Sequence, residues 1–104
     1  MVSIIFRVKA KDGKADEAQA ALEKMTAAVE ANESKTIAYI FHRSQEDPGE
    51  FVLFENYPDD ATLQEHMQTP HMKELQGIFG DLFDASTIKA ERLDRLAGFA
   101  RSAA

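Results

Sequence analysis

Apolar and polar residues alternate at the start of the chain and then change period. In VSIIFRVKAK, Val2, Ile4, Phe6 and Val8 share one face, while Ser3, Ile5, Arg7 and Lys9 share the other. This predicts a strand with one strongly apolar side. KDGK predicts a turn. From Asp16 to about Glu33, Ala18, Leu22, Met25 and Val29 follow the i, i+4, i+7, i+11 spacing of a helical stripe. Ala21 and Ala28 flank the stripe and are small enough to let it lie close on a sheet. NESK ends this helix.

TIAYIFHRS, from Thr36 to Ser44, is rich in β-branched and aromatic residues and predicts a second strand. QEDPGE is a turn centred on Pro48-Gly49, and FVLFENY, from Phe51 to Tyr57, completes a hairpin. PDDATLQEHMQ opens a helix with Asp59 or Asp60 as N-cap and Leu63 and Met67 on its buried side. Thr69-Pro70 then restarts it: threonine caps, and proline takes the first helical position, where its missing N–H costs nothing. Met72, Leu75, Phe79 and Leu82 make the next stripe, so two short helices or one broken helix run from about Ala61 to Phe83. ASTIKAERL is the last strand, and DRLAGFARSAA is a short helix or a loose tail.

The resulting order, β-α-β-β-α-β, is the ferredoxin-like α+β arrangement, with a four-stranded antiparallel sheet and its helices on one face. One domain is expected over residues 1–104, with its core at about 2–92 and a tail over 94–104. FVLFENY is apolar on both of its faces, and such a strand is usually covered on both. A bare apolar sheet face is rare on a monomer. The pattern therefore predicts a homodimer packed through its sheet faces, closing a barrel-like core.

Composition narrows the function. A formal charge of −6, with scattered Lys and Arg, argues against nucleic acid as the partner. No apolar run reaches the ~20 residues of a membrane span, and charges follow the first apolar run of MVSIIFRVKAKDG too soon for a signal peptide. No membrane partner is expected, and the default location is cytoplasmic. With no cysteine there is no thiolate nucleophile, disulfide or cysteine metal site.

Two of the three histidines, His66 and His71, lie five apart in EHMQTPHMKEL, with Pro70 between them. Helical zinc pairs sit at i, i+4, so no metal site is expected. Acid/base work suits these imidazoles. A structural role suits them too: His66 donating to Glu55 or a backbone carbonyl, and His71 bonding at a helix N-terminus. Glu55 is a charge in an otherwise apolar strand, on the face of Phe51, Leu53 and Tyr57. Such a carboxylate is paired or hydrogen-bonded when buried, so it is either a catalytic group or a structural one. Tyr39 and His42 fall on opposite faces of a regular strand.

AYIFHRSQEDPGEFVLFENYPDDATLQEHMQTPHMKEL resembles the central signature of the antibiotic biosynthesis monooxygenase family. The matching residues are Tyr39, His42, Arg43, Ser44, Glu55, Tyr57, His66, Thr69, Pro70, His71 and Met72, and the resemblance covers about residues 2–92. Within the family the chain looks most like the small stand-alone quinol monooxygenase-like proteins. It departs from the family in two places. NESKTIAY replaces a Glu-Pro-Gly-Cys step, and Tyr57 stands where Trp is usual. Lacking any Trp, the chain does not resemble the haem-degrading branch.

The resemblance implies a dimeric α/β barrel and oxidation of a quinol-like or polyphenolic aromatic by O2 without a cofactor. It implies a pocket between sheet and helices lined by Phe6, Tyr39, Leu53, Glu55, Tyr57, His66, His71, Met72 and Phe79. His66, His71 and Glu55 are its acid/base candidates. Fold does not fix reaction, and two other readings stay open. One is a non-catalytic, ligand-binding or stress-related dimer; the other is an isomerase acting on a small carbonyl compound.

Overall fold

A computed structural model describes residues 1–103. Its elements are β1 (Val2–Ala10), α1 (Ala15–Asn32), β2 (Ala38–Arg43), β3 (Glu50–Tyr57), α2 (Asp60–Met67), α3 (Pro70–Leu82) and β4 (Phe83–Leu93). The strands form one antiparallel sheet in the order β2-β3-β1-β4. This is the ferredoxin-like α+β arrangement that the alternation predicts.

Strand parity decides what faces the helices. Val2, Ile4, Phe6 and Val8 stand opposite Tyr57, Glu55, Leu53 and Phe51 of β3. Tyr39 and Phe41 of β2 stand opposite Glu55 and Leu53. Against this face α1 lays its stripe of Ala18, Leu22, Met25 and Val29, all buried. The tightest part of the core gathers Val8, Ala18, Leu22, Phe51, Leu82 and Phe83. Phe83 stacks on Phe79 at 4.5 Å between ring centroids and meets Phe51 edge-on at 6.1 Å.

The opposite face carries Ile5, Phe54 and Ile40 in cross-strand register. Ile40 is 50% exposed. His42 lies on this face too, its Nδ1 3.2 Å from the Val52 carbonyl, so Tyr39 and His42 do point apart.

The start of the last strand differs from the one expected. β4 starts at Phe83 rather than Ala85, following α3 with no loop between them. Phe83 has an extended backbone, its N–H donates to the Phe79 carbonyl as the helix cap, and its ring is buried in the core. Burial thus turns the chain outward at the residue where the helical spacing would have carried it on. Residues 94–103 form neither helix nor strand, which settles the described tail as a loose one, with Leu96 93% and Phe99 80% exposed. Residue 104 lies outside the described residues. No helix among the described residues is long and apolar enough to cross a membrane.

Candidate functional site

The break between α2 and α3 is built by its threonine. The Thr69 hydroxyl accepts from the Met72 N–H at 3.3 Å, capping α3, and donates to the His66 carbonyl at 2.8 Å in the last turn of α2. Pro70 occupies the first position of α3. Asp59 caps α2, accepting from the Thr62 N–H and hydroxyl, each at 2.8 Å. Each histidine therefore belongs to its own helix, which accounts for the spacing of five.

Between the sheet, α1 and these two helices lies a cavity of about 530 Å³. Phe6, Tyr39, Leu53, Glu55, His66, Met72 and Phe79 line it, together with Ile4, Val8, Phe41, Leu63, Met67 and Leu75. Its ionisable lining residues are Tyr39, Glu55 and His66; Gln64 and Gln76 are the other polar ones, and no Lys or Arg lines it. Tyr39 and Glu55 are cross-strand neighbours. The His66 ring lies 5.4 Å from that of Tyr39 and 5.5 Å from that of Tyr57, centroid to centroid. The polar groups thus form one compact cluster in an otherwise apolar hollow.

Two expected lining residues are elsewhere. Tyr57 is fully buried behind the wall and donates its hydroxyl to Glu55 Oε1 at 2.7 Å. It backs the lining residues Glu55 and His66 from behind. His71 faces a separate groove between α1 and α3, beside Lys24, Met25 and Glu74. The restart at Thr69-Pro70 turns its ring away from the cavity and towards the end of α1. The break therefore does not bring both imidazoles into one cavity.

It brings both onto one carboxylate instead. Glu33, the residue after α1, places Oε1 2.7 Å from His66 Nδ1 and Oε2 2.5 Å from His71 Nε2. His66 is only 2% exposed, and its partner is Glu33, not Glu55. The Glu33 N–H donates to the Val29 carbonyl, which fixes the carboxylate at the helix end. The negative end of a helix dipole is a poor place for an anion, and two imidazole N–H donors offset that. Sequence reading missed Glu33, because NESK looks like ordinary helix-end chemistry; a carboxylate followed by two unpaired histidines far along the chain is the only signal for it.

Each imidazole is engaged by its own oxygen of Glu33, and His42 is on the far face of the sheet. Among the described residues no three His, Asp or Glu side chains are arranged to hold a metal ion.

Burial sets the protonation of the cluster. It pushes the hydroxyls of Tyr39 and Tyr57 well above the ordinary phenol range, with Glu55 next door adding to the effect. Both stay neutral donors. Burial also raises the Glu55 carboxyl above its ordinary 4.5, against the opposing pull of the Tyr57 hydrogen bond and of His66. A carboxyl with a raised folded-state pKa contributes stability that is fully present below its unfolded value and is lost as pH rises through the folded one. Glu55→Gln keeps an acceptor for Tyr57 but cannot ionise. The variant is therefore expected to gain thermal stability relative to the parent as pH climbs above 4.5. Paired melting curves across pH check this, and curves that stay parallel would refute it.

Comparison with known proteins places the chain. The family model for antibiotic biosynthesis monooxygenase matches residues 1–77. PA3566 from Pseudomonas aeruginosa superposes with a TM-score of 0.84 at 26% identity, over 92% of this chain and 94% of that one. Rv0793 from Mycobacterium tuberculosis does so with a TM-score of 0.82 at 25% identity, over 95% and 98%. A solved antibiotic biosynthesis monooxygenase, at 24% identity and a TM-score of 0.82 over 93% and 100%, shares the fold. Among curated proteins none matches significantly. With the family model spanning well over half of the chain, the protein belongs to the antibiotic biosynthesis monooxygenase family.

Proposed function

We propose that this protein is a cofactor-independent monooxygenase that oxidises a quinol-like or polyphenolic substrate with O2. One observation carries the reading: an apolar cavity of about 530 Å³ whose ionisable lining is a single cluster of His66, Glu55 and Tyr39. A flat aromatic ring fits walls of Phe, Leu, Ile and adaptable Met. A phenolic hydroxyl fits the cluster. A phosphorylated or carboxylated substrate finds no Lys or Arg in the lining.

In the proposed reaction His66 removes a phenolic proton. The electron-rich anion passes one electron to O2, giving a substrate radical and superoxide. Their recombination forms the C–O bond of a peroxide, which loses water; one oxygen atom ends in the product and the other in water. The Tyr39 hydroxyl, beside Glu55 in the lining, is the donor for the oxyanion that develops. Phe6, Leu53, Met72 and Phe79 hold the ring.

The working form in this proposal is a cytoplasmic homodimer joined through the sheet faces that carry Ile5, Ile40 and Phe54. Support comes from the exposure of Ile40 and from the rarity of open apolar sheet faces on monomers. The deciding experiment is aerobic incubation with a panel of quinols and anthrones while O2 is followed. Uptake above the protein-free rate is expected with at least one of them. If none stimulates uptake, the ligand-binding reading takes its place.

A further inference from the structure

We propose that Glu33 is the positioning residue of His66: its carboxylate fixes the imidazole as the Nδ1–H tautomer with Nε2 turned to the cavity, and His71 holds that carboxylate from the other side. The catalytic part of this proposal rests on the reading of His66 as the base.

A carboxylate only accepts hydrogen bonds, so a neutral imidazole 2.7 Å away must donate to it. Neutral histidine has one N–H; donating it from Nδ1 leaves the lone pair on Nε2. His66 Nε2 has no hydrogen-bond partner among the described residues. Nor is it sealed: Asn56 Oδ1 is the fully buried side-chain N or O atom without a partner there. The remaining place for Nε2 to open is the cavity that His66 lines. Oriented in this way, the free lone pair faces the space where a phenolic proton would sit.

Glu33 could not hold this geometry with one contact. A carboxylate bonded at a single oxygen can rotate about its terminal torsion, which is broad and soft. Donation from His71 Nε2 to Oε2 stops that rotation. The ion-pair partners of Glu33 among the described residues are the two histidines; nearby Lys35 is turned to Glu65 on the surface. The otherwise odd spacing of His66 and His71 thus follows from the need for two helices to grip one carboxylate from opposite sides.

The titratable groups facing His66 are Glu33 from the end of α1, Tyr39 from β2, and Glu55 and Tyr57 from β3, with His71 behind Glu33. Of these, Glu33 is the group bonded to the ring, and Glu33→Gln puts an amide, which can also donate, where the carboxylate obliges Nδ1 to carry the proton.

The test has an arm that needs no substrate. Long-range 1H–15N correlation on histidine-labelled parent protein, above the histidine titration range, should show His66 as the Nδ1–H tautomer. An Nε2–H tautomer or a rapidly averaged mixture overturns the proposal. Glu33→Gln should abolish that tautomer's dominance; an unchanged tautomer likewise overturns the proposal. With an active substrate, the same variant should lower kcat by about 10–10²-fold with little change in KM. His71→Gln, which can still donate to Glu33, should retain most of kcat, whereas His71→Ala should not. If Glu33→Gln fails to fold, the parent spectrum and the His71 pair decide alone. If no quinol is turned over while the parent shows the predicted tautomer, the positioning role stands and the oxidation reading falls.

Discussion

His66→Gln is expected to lower quinol-dependent O2 uptake by about 10²–10⁴-fold in kcat/KM, the range usual for loss of a general base. Glutamine is the informative replacement. Its amide N–H can still donate to Glu33, so the buried carboxylate keeps a partner, but it has no lone pair basic enough to take a phenolic proton. His66→Ala would mix this loss with the cost of leaving Glu33 half-satisfied, about 1–3 kcal/mol for an unpaired buried polar group. The chemical effect should appear in kcat, because the apolar wall that binds the ring is untouched. Oxygen-electrode traces on a variant with the parent's melting temperature make the comparison, and undiminished turnover would remove His66 from the mechanism.

Phe83→Ala is expected to cost about 3–5 kcal/mol of folding stability, the range for deleting a buried aromatic ring. Phe83 is 1% exposed and touches rings on two other elements, Phe51 of β3 and Phe79 of α3. Its neighbours come from a rigid sheet and a helix end, so the space left behind collapses poorly. Domains of this size have roughly 5–15 kcal/mol in total. The substitution should therefore lower Tm by roughly 12–40 °C, measurable by calorimetry. A loss below about 1 kcal/mol would mean that this part of the core repacks freely. Because Phe79 lines the cavity while Phe83 does not, ligand affinity should also weaken, through the loss of the stack that braces Phe79.

What could be read from the sequence was local. The stripe of α1, the hairpin around Pro48-Gly49 and the restart at Thr69-Pro70 all depend on residues within a few positions of one another, and the structure has them where the pattern puts them. The face of Glu55 was legible because strand parity has a period of two. Tertiary direction was not. His71 was placed at the cavity because its helix is, but which side of a helix faces inward depends on how α3 crosses α1. Glu33 was invisible for the same reason: its partners lie 33 and 38 positions away, and a carboxylate that will be buried looks, in sequence, like one that stays in water. The resemblance implied Tyr57 in the pocket, yet its hydroxyl is occupied by the neighbouring Glu55, a contact between residues two apart that alternation alone does not disclose.

The hollow between sheet and helices has a thermodynamic side as well. Protein interiors are normally packed as densely as organic crystals, and a chain of 104 residues has little interior to spare. Here Phe6, Leu53, Met72 and Phe79 forgo contacts on the side that faces the cavity. An aromatic guest restores those contacts. Binding of this kind raises apparent stability by RT ln(1 + [L]/Kd), about 2.7 kcal/mol at a hundredfold excess over Kd. If the proposed aromatic substrate binds here, folding and recognition draw on the same walls, and its binding should raise the melting temperature.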